Sequence, residues 1–272
     1  MAQPQIRPNY KPLFYAFFAA ISITLGLFFI AAQKKPQTTK TLHAITAWAV
    51  PATLPSESMI HHMAYSLVYS HKHMQAKWVA YNLSLANTLG GAERSSKFSI
   101  DPSISPQTAV TSDYTKTGYD RGHLAPAGDM KFSAQAMAES FYMSNVSPQL
   151  PGFNRGIWKK LEEQFRSWAP TSHPIFVATG PVLTDPIHAQ IGQTCLISVP
   201  QRFYKVVLDT AAPMRAIAFV LPNESSSLPL SHFAMSIDEA EKITGLDFFP
   251  RLPDSQEAKI EKTLQLNQWQ FD

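Results

Sequence analysis

The sequence of 272 residues holds one cysteine, Cys195. No disulfide can form within the chain, and no zinc site built on paired cysteines exists. Any folded domain must therefore be held by its apolar core alone. A surplus of one charge is also missing. With the first 32 residues set aside, Arg7 and Lys11 go with them, leaving 21 basic residues against 20 acidic ones. That balance offers no general attraction to a polyanion, so a nucleic-acid footprint has to be local. Internal repeats and low-complexity tracts are absent as well, which excludes a repeat array. Disorder is excluded by composition, since 45% of the residues are hydrophobic and 16% charged.

What the sequence does have is one long apolar run, LFYAFFAAISITLGLFFIAA, from Leu13 to Ala32. It carries no charge and lies between Arg7 and Lys11 on one side and Lys34 and Lys35 on the other. A helix crossing a membrane needs about 20 such residues, whereas the apolar part of a signal peptide takes about 7–15. Length thus favours an anchor over 13–32 behind a tail of 1–12. The alternative is a long signal peptide cut near Ala32. The flanking charges nearly balance and do not set the orientation. An apolar segment at the extreme N-terminus, ahead of the whole folded domain, acts most often as an export signal. The domain is accordingly expected outside the cytoplasm, in a bacterial periplasm, either membrane-anchored or secreted after cleavage.

Residues 33–59 mix Lys, Thr, Ser and Pro with few periodic apolar positions, which suits a linker, and the domain is expected over 60–272. WVAYNLSL, PIFVATGPVL, CLISVP, RFYKVVLD and RAIAFVLP read as strands. In NRGIWKKLEEQFRSWA, Ile157, Trp158, Leu161, Phe165 and Trp168 fall on one stripe of a helix. A second helix starts behind Ser133, and a third ends at Gly245. Several strands with segregated helices indicate an α+β domain around a mainly antiparallel central sheet flanked by helices.

The stretch DRGHLAPAGDM, from Asp120 to Met130, has no place in a core strand, because its polar side chains bury little apolar area. His123 is the first candidate for chemistry, since an imidazole with a pKa near 6.5 can accept a proton at neutral pH. Gly122 beside it allows a close approach or a sharp turn, Asp120 and Arg121 can orient the loop, and Pro126 ends the extended run. Asn154 opens the amphipathic helix and points along its apolar stripe, with Glu162 at the stripe's edge. A helix cap and a metal-directed amide explain Asn154 equally well. The pairs His61-His62 and His71-His73 read as a solvated face with no fixed acid partner. Lys159, Lys160 and Arg166 read as the exposed face of the helix, and Cys195 as a small core residue.

TGYDRGHLAPAGDM, SNVSPQ and FNRGIWKKLE together resemble the signature of the non-specific DNA/RNA endonucleases with a ββα-metal site, of the Serratia nuclease and endonuclease G type. The resemblance runs from about Trp78 to about Asp254. It implies a ββα-metal motif in the fold and a one-metal phosphodiesterase acting on both DNA and RNA. The residues it implies are His123 as general base, Asn154 as the direct ligand of Mg²⁺ (or Mn²⁺), Glu162 holding metal-bound water, and Arg94 on the phosphate. Asp120 and Asn145 are supporting residues, for which turn chemistry is the equal alternative. The chemistry is coherent, because hydrolysis of a phosphodiester needs an activated water, neutralisation of transition-state charge and help for the departing oxygen. A homodimer and an inhibitor protein are further partners left open. The rival in another class is a non-catalytic nucleic-acid-binding or uptake protein on the same fold.

Overall fold

The computed structural model describes residues 50–271. The apolar run 13–32 and most of the expected linker lie outside these residues. Among the described residues no helix is long and apolar enough to cross a membrane. In chain order the elements are β1 (Met59–His61), β2 (Tyr65–Ser70), β3 (Gln75–Leu83), the short helix α1 (Leu85–Thr88), β4 (Asp120–His123), α2 (Ala134–Ser140) and β5 (Val146–Gln149). They continue with α3 (Lys159–Trp168), β6 (Ile175–Pro181), β7 (Gln190–Ile191), β8 (Ile197–Ser198), β9 (Arg202–Asp209), β10 (Arg215–Pro222), β11 (Ala234–Met235), α4 (Ile237–Thr244) and α5 (Asp254–Glu261).

Seven of the strands form one antiparallel sheet in the order β1-β2-β3-β6-β9-β10-β11, and two small ladders, β4-β5 and β7-β8, stand apart from it. The central strands are covered on both faces, so they read as apolar runs more than as polar-apolar alternation. In β9, Phe203 and Val207 join one core with Leu67, Val79, Val177 and Phe219, under Phe153, Ile157, Trp158, Leu161 and Phe165. Tyr204, Val206 and Leu208 point the other way, into a second core with Trp78, Phe176, Ile237, Ala240 and Phe248. The sheet is thus flanked by α3 on one face and α4 on the other.

The strand expected at RFYKVVLD and the one at RAIAFVLP run as the sequence suggests, and Ser133 and Gly245 cap α2 and α4, Gly245 in the left-handed conformation at φ 69°. Five details differ. CLISVP shrinks to the two residues of β8, and β3 begins three residues before Trp78. The strand β2 was not legible, because Ser66 and Ser70 interrupt its apolar pattern although both are buried. Val50 and Pro51 are buried and the Ala52 N–H donates to the Asp247 carbonyl, so residues 50–52 of the expected linker are packed on the domain. Asp120–His123 is a strand after all: it pairs Asp120 with Gln149 and His123 with Val146 in a ladder outside the main sheet. A ladder spends only backbone groups, so its side chains need not be apolar.

The loop leaving β4 is pinned by Asn145. Its Oδ1 accepts from the Ala125 N–H at 2.9 Å, and its Nδ2 donates to the carbonyls of Ala125 at 2.9 Å and Ser140 at 2.8 Å. The residue has no exposed surface. Asn145→Ala would leave these buried backbone groups unpaired, and each costs about 1–3 kcal/mol. We expect a loss of roughly 2–4 kcal/mol, read as a lower urea midpoint with an unchanged slope. A variant as stable as the parent would contradict this role.

Candidate active site

The site is built where the β4-β5 ladder meets the start of α3. Gly122 owes its place to close packing: a Cβ there would sit 2.1 Å from Oε1 of Gln149, a side chain with no room to move because it is fully buried. Gly122 thereby lets the ladder close between Arg121 and His123. After β5 the chain makes a wide helical turn, Phe153–Trp158, interrupted at Gly156, before the regular turns of α3 begin. The apolar stripe of Ile157, Trp158, Leu161 and Phe165 is buried on the sheet, which orients the helix and aims its opposite edge at the ladder.

Asp120 joins the two parts. Its Oδ2 accepts from Asn154 Nδ2 at 2.9 Å and from Arg155 Nε at 2.8 Å, while Oδ1 accepts from Arg155 Nη2 at 2.6 Å. Asn154 makes no side-chain capping bond, so the cap reading of this residue is excluded. With Nδ2 committed to Asp120, Oδ1 remains as the uncommitted oxygen of the amide. Arg155 and Asn154 hold the Asp120 carboxyl below its ordinary pKa against the opposing effect of burial.

These groups open on a cleft of about 640 Å³. Of the sequence-derived candidates, Arg94, Asp120, His123, Asn154 and Glu162 all line it, whereas Asn145 does not; Asn145 holds the loop from behind. The other lining charges are Arg121, Arg155, Lys159 and Arg166, so cations dominate the walls. That is the local basic footprint which the near-neutral composition concealed. Among the described residues Arg94 makes no ion pair; its guanidinium lies 5.2 Å from the centre of the Phe141 ring. Arg121 donates from Nη2 to the Thr111 carbonyl at 2.8 Å, fixing one wall.

His123 is seated between two aromatic rings, edge-on to Phe141 at 4.7 Å and tilted against Phe98 at 5.2 Å. Its Nε2 is buried and has no hydrogen-bond partner among the described residues. Burial first, and the positive charge of Arg94 second, push its pKa down to about 3. The imidazole is therefore neutral at physiological pH and holds an unused ring nitrogen. Phe98 and Phe141 were not legible as site residues, because a phenylalanine in sequence carries no sign of which ring it will face.

Behind the cleft lies a layer of buried charge. Lys205, on the same face of β9 as Phe203 and Val207, is fully buried, 5.0 Å from the centre of the Trp158 indole. Its only hydrogen bond is a long one, from Nζ to the Leu124 carbonyl at 3.4 Å. Asp129 accepts from Arg166 Nη1 at 2.9 Å and from the Tyr81 hydroxyl at 3.1 Å. Burial raises the Glu162 carboxyl above its usual range, with Lys205 and Arg166 opposing. Burial likewise lowers Lys205, opposed by Glu162 and Asp129. Arg166 is thus not on the exposed helix face that the wheel suggested; it spans from Asp129 to the cleft wall. Its place one turn after Glu162 on α3 was the available signal.

Two other expectations change. His62 is no part of a solvated face: its side chain is buried and its Nε2 lies 2.9 Å from Asp101. Cys195 is half-buried at the margin of a small core, and its thiol donates to Asp113 at 3.5 Å. Neither touches the cleft.

The low pKa of His123 has a consequence for stability. In the unfolded chain a histidine takes up its proton near pH 6.5, whereas the folded chain resists until about pH 3. The unfolded state then binds more protons below about pH 6.5, so stability is full above that value and falls as the pH drops through it. From about pH 7 to about pH 5 the loss attributable to this residue is roughly 2 kcal/mol. His123→Gln should lose that much less on acidification, measured by urea unfolding at both pH values; equal losses in the two proteins would count against a buried neutral imidazole.

Comparison with known proteins gives a consistent result. The family model described as DNA/RNA non-specific endonuclease matches residues 49–255. The mitochondrial nuclease EXOG of Danio rerio is 39% identical over 207 residues, covering 70% of this chain and 60% of the relative. Its counterpart in Mus musculus is 34% identical over 212 residues, covering 72% and 58%. Mitochondrial endonuclease G of Bos taurus is 34% identical over 204 residues, covering 70% and 68%. The chain spans about three fifths of the length of the EXOG relatives. A chain from the crystal structure of an EndoG/EndoGI complex superposes with a TM-score of 0.71 at 29% identity, covering 80% of this chain and 95% of that one. With a family match over most of its described residues, and the ladder, helix and cleft in the arrangement above, this chain belongs to the DNA/RNA non-specific endonuclease family.

Proposed function

We propose that the chain is a divalent-metal-dependent endonuclease that hydrolyses phosphodiester bonds in DNA and RNA with little base preference, using His123 as general base. The observation that carries this reading is the meeting in one cleft of a neutral histidine, an asparagine amide oriented by Asp120, and an arginine that makes no ion pair among the described residues.

The donor set suits a hard cation. Asn154 Oδ1 and the Glu162 carboxylate are oxygen ligands, and no cysteine lines the cleft, which matches Mg²⁺ or Mn²⁺. Asn154 would bind the ion directly and Glu162 through water. The ion, when bound, supplies charge neutralisation on the phosphate and a polarised water for the leaving oxygen.

The remaining work falls to the protein. Arg94 meets the phosphate with a permanent, forked charge and gives up little in doing so, having no ion pair to break. Neutralising Arg94 with an anion also removes one of the two causes that depress His123, so the base strengthens as substrate arrives. Nε2 being buried, His123 takes a proton from the attacking water at its other ring nitrogen, Nδ1, and the Phe98 and Phe141 rings hold the imidazole in one plane during the transfer. Asp120 keeps the Asn154 amide turned so that its oxygen and not its NH₂ faces inward. Cations along the wall read the backbone and not base edges, consistent with action on either sugar.

On location, we retain the reading that residues 13–32 anchor the chain with the domain outside the cytoplasm. An inhibitor protein as partner is supported only by the likeness to EndoG, whose solved complex is titled as one of inhibition.

The test is cleavage of supercoiled plasmid and of single-stranded RNA by the purified chain, with Mg²⁺ or with chelator. Chelator should abolish cutting of both substrates, and His123→Ala should lower turnover by about 10²–10⁴-fold at unchanged thermal stability near neutral pH. Tight binding without cleavage would favour the non-catalytic rival, and unaltered turnover in the His123 variant would remove the assigned base.

A further inference from the structure

On the far side of the sheet from the cleft, α4 and α5 bring three acids together. Asp238 and Glu241 of α4 and Glu261 of α5 place one carboxylate oxygen each within 4.8 Å of one another. Two more acids, Asp247 and Glu257, add their repulsion to Glu261. Among the described residues no lysine, arginine or histidine pairs with any of the five. Exposed acids often gather without purpose, and if all of these faced water the cluster would carry no argument.

Glu261 does not face water. It is 7% exposed, and its Oε1 accepts no hydrogen bond. It is also the only buried residue of α5, a helix whose apolar share in the core is limited to partly buried Ile260. A helix docked on its neighbours by a buried, unpartnered carboxylate is physically incomplete, because desolvating an ionised acid costs several kcal/mol unless an opposite charge meets it. Glu241 cannot supply the missing partner: its Oε1 is already committed to the Phe248 N–H at 2.7 Å, and it is itself an acid.

Two species could complete the site, a proton or a cation. Burial and like charge push Glu261 up to about 8 and Glu241 up to about 7, which shows how strongly the cluster seeks positive charge near neutral pH. The number of converging oxygens favours the cation, because a proton bridges two oxygens whereas three carboxylates meet here, all within 4.8 Å of one another. Calcium takes 6–8 oxygen ligands at about 2.3–2.6 Å, so one ion can be reached by all three.

The geometry points to a Ca²⁺ site formed by Asp238, Glu241 and Glu261, whose role is to fasten α5 to α4. It is separate from the cleft, with which it shares no residue. Asp238 and Glu241 lie within the stretch 49–255 matched by the family, and Glu261 lies beyond it.

The experiment follows thermal unfolding of the full-length, chelator-stripped chain with and without about 10 mM CaCl₂, in an Asn154→Ala background that disables the metal ligand of the cleft. Calcium should raise Tm by roughly 5 °C or more. Adding Glu261→Gln should remove the shift, while the same substitution in the otherwise unaltered chain leaves plasmid cleavage unchanged at room temperature. Asp238→Asn, at a less buried position, serves as a second variant should the first fail to fold, and it too should remove the shift. No calcium-dependent rise in Asn154→Ala, or a rise that survives in the Glu261 or Asp238 variant, overturns the site.

Discussion

The hydrogen bonds that Asp120 makes with Asn154 and Arg155 are the joint on which the site depends. One carboxylate, on a short ladder outside the main sheet, reaches the first turn of the helical segment that leads into α3. Without it the ladder carrying His123 and the segment carrying Asn154 would be joined only through the chain that runs from β5 into the turn and by general packing. With it, a residue thirty-four positions away is fixed in both place and rotamer, since an amide whose NH₂ is spoken for can offer only its oxygen. The interaction is short-ranged and directional, which is what a site requiring a particular atom in a particular place needs.

The surroundings make that joint possible at a cost. Burial, with the nearby charge of Arg94, keeps the His123 ring neutral, and between Phe98 and Phe141 its Nε2 finds no partner among the described residues. Beneath the cleft, Lys205 and Asp129 have no exposed surface to speak of and lie in electrostatic reach of Arg166 and Glu162. A sheet face filled with Leu or Val at position 205 would be the cheaper construction. Placing a cation among Phe203, Trp158 and Phe165 instead creates a field directed at Glu162, the acid on the cleft wall. Structural economy is given up where the chemistry lies, and the two large apolar cores on either side of the sheet carry the difference.

Much of the frame was readable in one dimension. The apolar runs of β6, β9 and β10 and the stripe of α3 follow from side-chain periodicity, which is set by the backbone and needs no knowledge of partners. Ser133 and Gly245 as helix ends follow from the same local rules. Where the pattern is broken by small polar residues, as in β2, or where only backbone groups pair, as in β4, local reasoning had no signal. The wheel placed Arg166 on the exposed side because a wheel knows only one helix; the Asp129 carboxylate that draws it inward comes from the loop after β4.

Residue types and their spacing by themselves singled out His123, Asn154 and Glu162, because reactive side chains are few and their order along the chain is a matter of covalent sequence, and the resemblance to the endonuclease signature added Arg94. Only the tertiary structure decided that those four share a cleft, that Asn145 is a brace behind it, that Asn154 answers to Asp120 and not to a helix end, and that phenylalanines flank the imidazole. Those are facts about distances between residues remote in the chain. They are set by how the apolar faces of the sheet and α3 close together, and no local rule contains them.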